Sequence, residues 1–194
     1  MSLRQVYPDP KNKAIEPADK LPKISPEIDI IAVHGLGSPN MDGETNARVT
    51  WGTSSEEDRH MWLRDELPRD FPNSRVFLYE YDAITAYGKN KETFLEKANE
   101  LLKTVRIKRD GVESRPIMFL GHSIGGFLIQ QALINAINIP KYGTIESAAP
   151  CLAFFATPLS ITSSVNWGPQ YVGELAAELA IAAGFPDGSD VMTT

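Results

Sequence analysis

The chain has 194 residues, of which 42% are hydrophobic and 23% are charged. This length and composition suit one globular domain with a substantial core, and they exclude collagen-like, disulfide-framework and wholly disordered chains. The 25 acidic residues outnumber the 19 basic ones and give a formal net charge of -6. An excess of negative charge opposes binding to phosphate backbones, so we expect no nucleic-acid partner.

No signal for secretion or membrane insertion stands out in the sequence. The most apolar late stretch, residues 175–183, is short and contains Glu178, and residues 1–10 carry no apolar run behind a basic one. The single cysteine, Cys151, cannot form an intrachain disulfide, and its apolar neighbours predict a buried thiol. We therefore expect a cytoplasmic protein without a transmembrane segment. Peripheral association with membranes is compatible with this expectation.

Two regions are expected along the chain. Residues 1–26 contain five prolines among charged and polar residues, which predicts an irregular leader. Residues 27–194 are predicted to form the N-terminal portion of one α/β domain.

Within that domain, strand patterns alternate with helix patterns. The predicted strands, from short apolar and β-branched runs, are residues 28–33, 75–81, 116–120 and 151–155. The predicted helices, from apolar residues at helical spacing, are residues 55–67, 92–106, 124–137 and 170–183. A loop is expected between the first strand and the first helix. This order predicts an α/β fold in which a parallel sheet carries helices on both faces.

The third predicted strand and its helix are joined by a Gly-x-Ser-x-Gly motif, Gly121-His122-Ser123-Ile124-Gly125. In a nucleophile elbow, a strained turn lifts the serine hydroxyl clear of the sheet, and the small flanking residues let the backbone approach itself. The helix that follows places its positive dipole end beside Ser123, where negative charge would develop. The alternative interpretation is a tight turn with an inert serine.

An oxyanion hole needs two backbone N–H donors near the serine. Ile124, directly after Ser123, is the first candidate. The segment His34-Gly35-Leu36-Gly37 follows the first predicted strand, and the N–H of Leu36 is the best-placed second donor. An ordinary turn at His34-Gly35 is the structural alternative.

These motifs resemble the α/β-hydrolase superfamily and, within it, the lipase-like serine esterases. That group includes serine-active-site lipase-like proteins, relatives of inositol deacylases, and hydrolase-like domains of fungal multidomain proteins. The resemblance spans about residues 28–160. The residues that carry it are Ile31–Gly37, Trp51, Trp62-Leu63, Leu67-Pro68, Arg75-Val76, Tyr81-Asp82, Gly121–Gly126 and Phe154–Pro158.

The resemblance implies a hydrolase of carboxylic or lipid esters that uses no cofactor and no metal. Ser123 would be the nucleophile, and Leu36 and Ile124 would line the oxyanion hole. The residues expected to support this motif are His34, Gly35, Gly121, His122 and Gly125.

Two departures from the family pattern stand out. After the fourth strand the family has Gly-Thr-Pro-His, whereas this chain reads Ala156-Thr157-Pro158-Leu159. In this fold the triad runs in the order serine, acid, histidine, yet His34, His60 and His122 all precede Ser123.

None of the three histidines is an obvious general base. His34 belongs to the oxyanion loop, the side chain of His122 is expected to point away from the nucleophile, and His60 is placed on the first predicted helix. A base displaced to His60 is the minor alternative. Asp82, at the end of the second strand, is interpreted as a loop cap.

Three hypotheses remain open at this stage. In the leading one, the chain is the N-terminal part of a serine esterase whose missing strands bring the acid and the histidine. In the second, a degenerate hydrolase fold serves as a binding or signalling module. In the third, a complete small esterase pairs Ser123 with Asp82 or His60. Under the first, strand 151–155 would be a sheet edge, so we expect continuing polypeptide or self-association there.

Overall fold

A computed structural model of the chain describes residues 1–10, 26–37, 40–53, 60–83 and 91–157. The strands are β1 (Ser2–Tyr7), β2 (Asp29–Val33), β3 (Arg75–Glu80), β4 (Ile117–His122) and β5 (Cys151–Phe155). The helices are α1 (Gly43–Trp51), α2 (Trp62–Asp65), α3 (Leu67–Asp70), α4 (Lys91–Lys108), α5 (Gly125–Asn138) and α6 (Gly143–Ser147), with a 3₁₀ turn at Pro140–Tyr142.

The strands form one mostly parallel sheet in the order β1-β3-β2-β4-β5, which confirms the predicted α/β fold. Strands β2 to β5 run parallel, and β1 pairs antiparallel with β3. Parallel strands bring their carboxyl ends to one edge, where α/β folds place functional groups. The segments after β2, β4 and β5 therefore meet at that edge.

Both faces of the central strands are buried. Ile31 and Val33 of β2 belong to the core beneath α4, α5 and α6, whereas Ile30 and Ala32 belong to the core beneath α1 and α2. All four side chains are fully buried. Burial on both faces explains why these strands appear in the sequence as continuous apolar runs. Among the described residues, no helix combines the length and apolar composition needed to cross a membrane.

The first residues of the chain depart from the expected leader. Ser2–Tyr7 form β1, an edge strand in the described sheet that pairs with β3. An edge strand needs apolar residues only on its covered side, and Leu3 is the one β1 side chain that is almost fully buried. This sparse pattern and the nearby Pro8 explain why the prediction of an irregular segment was wrong for residues 2–7. Residues 11–25 lie outside the described residues.

The region between β2 and β3 also differs from the prediction. Helix α1 occupies what was expected to be a loop, and it begins where the Asp42 carboxylate accepts a 2.8 Å hydrogen bond from the Thr45 N–H. His60 precedes α2 instead of lying on a helix, and Pro68 sits in the first turn of α3 instead of ending a helix. Residues 55–59 of the predicted first helix lie outside the described residues, as does the predicted helix at 170–183.

Strand β5 lies at the other edge of the described sheet and is less covered than its apolar sequence suggested. Leu152 and Phe155 are each 42% exposed. Cys151, predicted to be buried, is half-buried. An edge strand has a neighbour on one side only, so fewer atoms shield its side chains.

At the amino ends of the strands, one buried carboxylate is bound by three arginines. The Arg75 guanidinium donates to both oxygens of Asp29 at 2.7 Å, and Arg109 Nη1 donates to Oδ2 at 2.5 Å. Arg115 Nε forms an ion pair with Oδ1 at 3.1 Å. Asp29 is fully buried, and a buried charge is tolerated because it is paired in this way.

We expect Asp29→Asn to lower the free energy of unfolding by about 3–5 kcal/mol, because the arginines lose the charge that compensates them. Urea unfolding followed by circular dichroism measures this difference. Glu27→Gln is the matched control: Glu27 is largely exposed and pairs with Arg115 at 3.6 Å, so its change should stay within about 0.5 kcal/mol. Equal stabilities for the Asp29 variant and the wild type would contradict the prediction.

Candidate active site

Ser123 forms the turn between β4 and α5 and has a left-handed backbone, with φ of 53°. The only other non-glycine residue with positive φ in the described chain is Ala156, at 50°. Such a conformation costs on the order of 1–2 kcal/mol and persists where surrounding contacts enforce it. Both strained residues lie at the carboxyl edge of the sheet, beside each other.

Hydrogen bonds hold the strained serine from two sides. The Ser123 N–H donates to the Phe155 carbonyl at 2.8 Å. The Ser123 carbonyl accepts bonds from the Thr157 hydroxyl at 2.8 Å and from the Gly126 N–H at 3.1 Å. The end of β5 and the first turn of α5 therefore fix both backbone polar groups of Ser123. Its hydroxyl makes no hydrogen bond within the described chain, and its side chain is half-buried.

Glycines allow the loop after β2 to approach this turn. A Cβ on Gly35 would lie 2.8 Å from the Ser123 Cβ and 3.3 Å from its Oγ. A Cβ on Gly125 would lie 2.3 Å from the His34 carbonyl oxygen. Contacts this short exclude a side chain at either position. The structure thus brings together Gly35, Ser123 and Gly125, which the sequence had placed in two separate motifs.

The loop after β2 is fixed by the His34 ring. Since a carbonyl only accepts, His34 Nδ1 must carry the proton that it donates to the Gly35 oxygen at 2.7 Å. The Tyr81 hydroxyl donates to the His34 carbonyl at 2.8 Å, and the two rings lie 4.5 Å apart. Burial lowers the pKa of His34 to about 4, so the imidazole is neutral near pH 7. Leu36, the next residue but one, is also buried.

The other predicted supporting residues occupy the same edge of the sheet. Gly121 pairs with Val33 on one side and Phe154 on the other, and Ile124 is fully buried at the start of α5. The His122 ring meets Trp51 edge-on at 6.3 Å, and burial lowers the pKa of His122.

No histidine is hydrogen-bonded to the Ser123 hydroxyl in the described structure. His34 and His122 are engaged as described above. The exposed His60 pairs with Glu66 at 2.7 Å and with Asp65 at 3.4 Å, which ties its ring to the carboxylates of the α2–α3 segment. Asp82 lines a separate open depression of about 460 Å³ together with the acidic residues Asp42, Glu44 and Glu80.

Three aromatic side chains pack next to the serine turn. The ring centroids of Trp51, Trp62 and Phe155 lie 5.9–6.1 Å apart in tilted or edge-on contacts. These contacts pack Trp51 and Trp62 against each other and against Phe155, and Trp167 lies outside the described residues. The described residues contain no group of three or more side chains able to hold a metal ion.

Sequence reasoning missed the contribution of Thr157. The segment Ala156-Thr157 drew attention only through the family pattern, which Thr157 matches and Ala156 does not. The signal that could have identified it is its place directly after a strand expected to neighbour the Ser123 strand, because parallel neighbours end at the same edge.

Comparison with known proteins finds distant relatives of this chain. Protein SERAC1 of Bos taurus and Protein SERAC1 of Homo sapiens are each 26% identical to it over 143 residues, which is 68% of this chain. Protein SERAC1 of Danio rerio is 26% identical over 110 residues. The match spans 22% of the length of the bovine and human relatives. No family model and no solved structure matches the chain. The chain is therefore a distant homologue of SERAC1 with an α/β fold.

The buried His34 predicts a loss of stability in acid. The unfolded chain binds a proton at the ordinary histidine pKa of 6.5, whereas the folded chain resists it until about pH 4. Above pH 6.5 both states leave His34 neutral, and the free energy of unfolding keeps its full value. As the pH drops from 6.5 to about 4, only the unfolded chain takes up the proton, so the free energy of unfolding falls by about 3 kcal/mol.

Urea unfolding of the wild type and of His34→Gln between pH 7.5 and pH 4 tests this prediction. The glutamine variant should lose less stability over this range, because it cannot take up the proton. Identical slopes for wild type and His34→Gln would show that the prediction is wrong.

The strain at Ala156 predicts a stabilising substitution. Ala156→Gly should raise the free energy of unfolding by about 1 kcal/mol, because glycine relieves the left-handed strain and loses only part of that gain to unfolded-state entropy. Thermal unfolding measures the change. Ala153→Gly, in β5 and without positive φ, should instead destabilise the protein, and stabilisation by both variants would argue against strain as the cause.

Proposed function

We propose that the chain is part of a serine hydrolase that cleaves carboxylic or lipid esters with Ser123 as the nucleophile. The observation that carries this proposal is the left-handed Ser123 in a strand–turn–helix, with its hydroxyl free of hydrogen bonds in the described chain. Strained residues cluster at active sites, and this turn has the form of a nucleophile elbow.

Two backbone amides are proposed to bind the oxyanion. Ile124 follows Ser123 directly and begins α5, whose positive dipole end favours negative charge. Gly35 lies against the Ser123 side chain, so the Leu36 N–H, one peptide further on, is the proposed second donor. A single donor of this type contributes about 3–4 kcal/mol to transition-state stabilisation.

In the proposed reaction, the Ser123 oxygen adds to the ester carbonyl carbon while a base accepts its proton. The bond to the alcohol oxygen then breaks, the alcohol leaves with that proton, and water hydrolyses the acyl-serine in a second, equivalent cycle. The base and the acid of the triad are proposed to come from polypeptide other than the described residues, since none of the three histidines is hydrogen-bonded to the Ser123 hydroxyl in the described structure.

The proposed substrate class follows from the apolar surroundings of the turn. The Trp51 ring meets the His122 ring at 6.3 Å, and Trp51, Trp62 and Phe155 contact one another, so an apolar aromatic surface with a 42% exposed Phe155 lies next to the residue before the nucleophile. Aromatic side chains of this kind favour an apolar acyl group over a charged one. This supports a carboxylic or lipid ester as the substrate.

A second candidate function is a catalytically degenerate hydrolase fold used for binding or signalling. It is favoured by one observation: in the described structure none of the three histidines is hydrogen-bonded to the Ser123 hydroxyl. Under this alternative the strained turn is inherited but chemically idle.

The reactivity of Ser123 separates the two functions. Without a histidine base, kcat falls by about 10⁶-fold, so the 194-residue chain should hydrolyse p-nitrophenyl esters barely above background. A fluorophosphonate probe should label it slowly, and Ser123→Ala should abolish that labelling. Ser147→Ala, at an exposed serine of α6, is the matched control and should label like the wild type.

Two results would contradict the proposal that Ser123 is a nucleophile whose base lies outside the described residues. Rapid labelling that depends on Ser123 would show that a base is present after all and would direct attention to His60. Labelling that is the same in the wild type and in Ser123→Ala would favour the binding or signalling module.

A further inference from the structure

We propose that Thr157 is a positioning residue for Ser123: its hydroxyl sets the orientation of the Ser123–Ile124 peptide. This inference rests on the proposed function, because orientation of that peptide is useful only if its N–H faces a reacting group. Thr157 itself need not touch a substrate.

The argument begins with the planarity of the peptide bond. The Ser123 carbonyl and the Ile124 N–H belong to one trans peptide, so they point in opposite directions within one plane. The Thr157 hydroxyl donates to that carbonyl at 2.8 Å. A bond that fixes the carbonyl on one side of the plane also fixes the direction of the N–H on the other side.

The Thr157 side chain is itself held in place. A Cβ on Gly126 would lie 2.4 Å from the Thr157 Oγ1 and 2.7 Å from its Cγ2, so the threonine packs directly on the backbone of the first turn of α5. Ala156, with φ of 50°, turns the chain immediately before it. The strained backbone of Ala156 therefore lies directly before the residue whose hydroxyl binds the Ser123 carbonyl.

The same arrangement recurs at the other proposed donor. His34 Nδ1 donates to the Gly35 carbonyl at 2.7 Å, and this carbonyl shares its peptide with the Leu36 N–H. Each proposed oxyanion donor thus belongs to a peptide whose carbonyl is held by a side chain. Two such hydrogen bonds at one edge of the sheet indicate that this site fixes the orientation of both peptides.

The experiment compares Thr157→Val, which keeps the shape but loses the donor, with Thr157→Ser, which keeps the donor. The 194-residue chain is used for all variants, and two quantities are measured. One is the rate constant for fluorophosphonate labelling of Ser123, separated into probe affinity and maximal rate. The other is the amide chemical shift of Ile124 by ¹H–¹⁵N NMR, which reports on this peptide without any reaction.

We expect Thr157→Val to reduce the maximal labelling rate at least about tenfold with little change in probe affinity, since loss of one oxyanion donor lowers rates by about 10²–10³-fold. The Ile124 amide shift should move in the same variant. Thr157→Ser should retain the rate within about threefold and keep the shift. Thr144→Val, which removes an exposed threonine hydroxyl in α6, should change neither quantity.

Wild-type labelling rates in Thr157→Val, or an unmoved Ile124 shift, would overturn the proposal. If Thr157→Val does not fold, Thr157→Ala removes the same donor and decides the question. A wild-type chain that labels no faster than Ser123→Ala would overturn the proposed hydrolase function instead. In that case the Ile124 shift still shows whether the Thr157 hydroxyl orients the peptide.

Discussion

The buried charge of Asp29 is the constraint that aligns the central sheet. Its partners come from three places: Arg75 begins β3, Arg109 follows α4, and Arg115 lies two residues before β4. Uncompensated charge in the interior is so unfavourable that these segments must meet at one point. The register in which Asp29 lies opposite Arg75 and Ile117 satisfies that requirement.

The register at the amino edge determines what meets at the carboxyl edge. With Asp29 opposite Ile117, Val33 lies opposite Gly121, so the residues that follow each strand, Gly35 and Ser123, come into contact. A slip of one residue would turn every side chain of β2 to the opposite face. The ion cluster and the candidate active site, at opposite ends of the same strands, therefore depend on the same pairing.

Much of this architecture could be predicted from the sequence, for a physical reason. Strands buried on both faces are continuous apolar runs, and the Gly-x-Ser-x-Gly segment between such a run and an apolar helix indicates a tight turn. The predicted strands β2 to β5 and the helices α4 and α5 match the structure to within about two residues. The oxyanion roles of Leu36 and Ile124 stay predictions.

What escaped prediction depends on partners distant in the sequence. Thr157 and Ser123 are 34 residues apart, and Arg109 and Asp29 are 80 residues apart. No local sequence pattern can therefore predict either contact. Helix α1 was missed because its residues are largely polar, and its start depends on one cap at Asp42. Strand β1 was missed because only Leu3 on its covered side is deeply buried.

The late pairing of β1 has a consequence for the order in which the protein assembles on the ribosome. Ser2 pairs with Glu80, 78 residues away, so β1 is synthesised well before its partner β3 and stays unpaired until β3 has emerged. Contacts of such long sequence separation form slowly, so the outer side of β3 stays open from the time β3 emerges until β1 docks. Until β1 docks, the unpaired N–H and C=O groups on this side of β3 can pair with another chain, so β1 protects the sheet from edge-to-edge association.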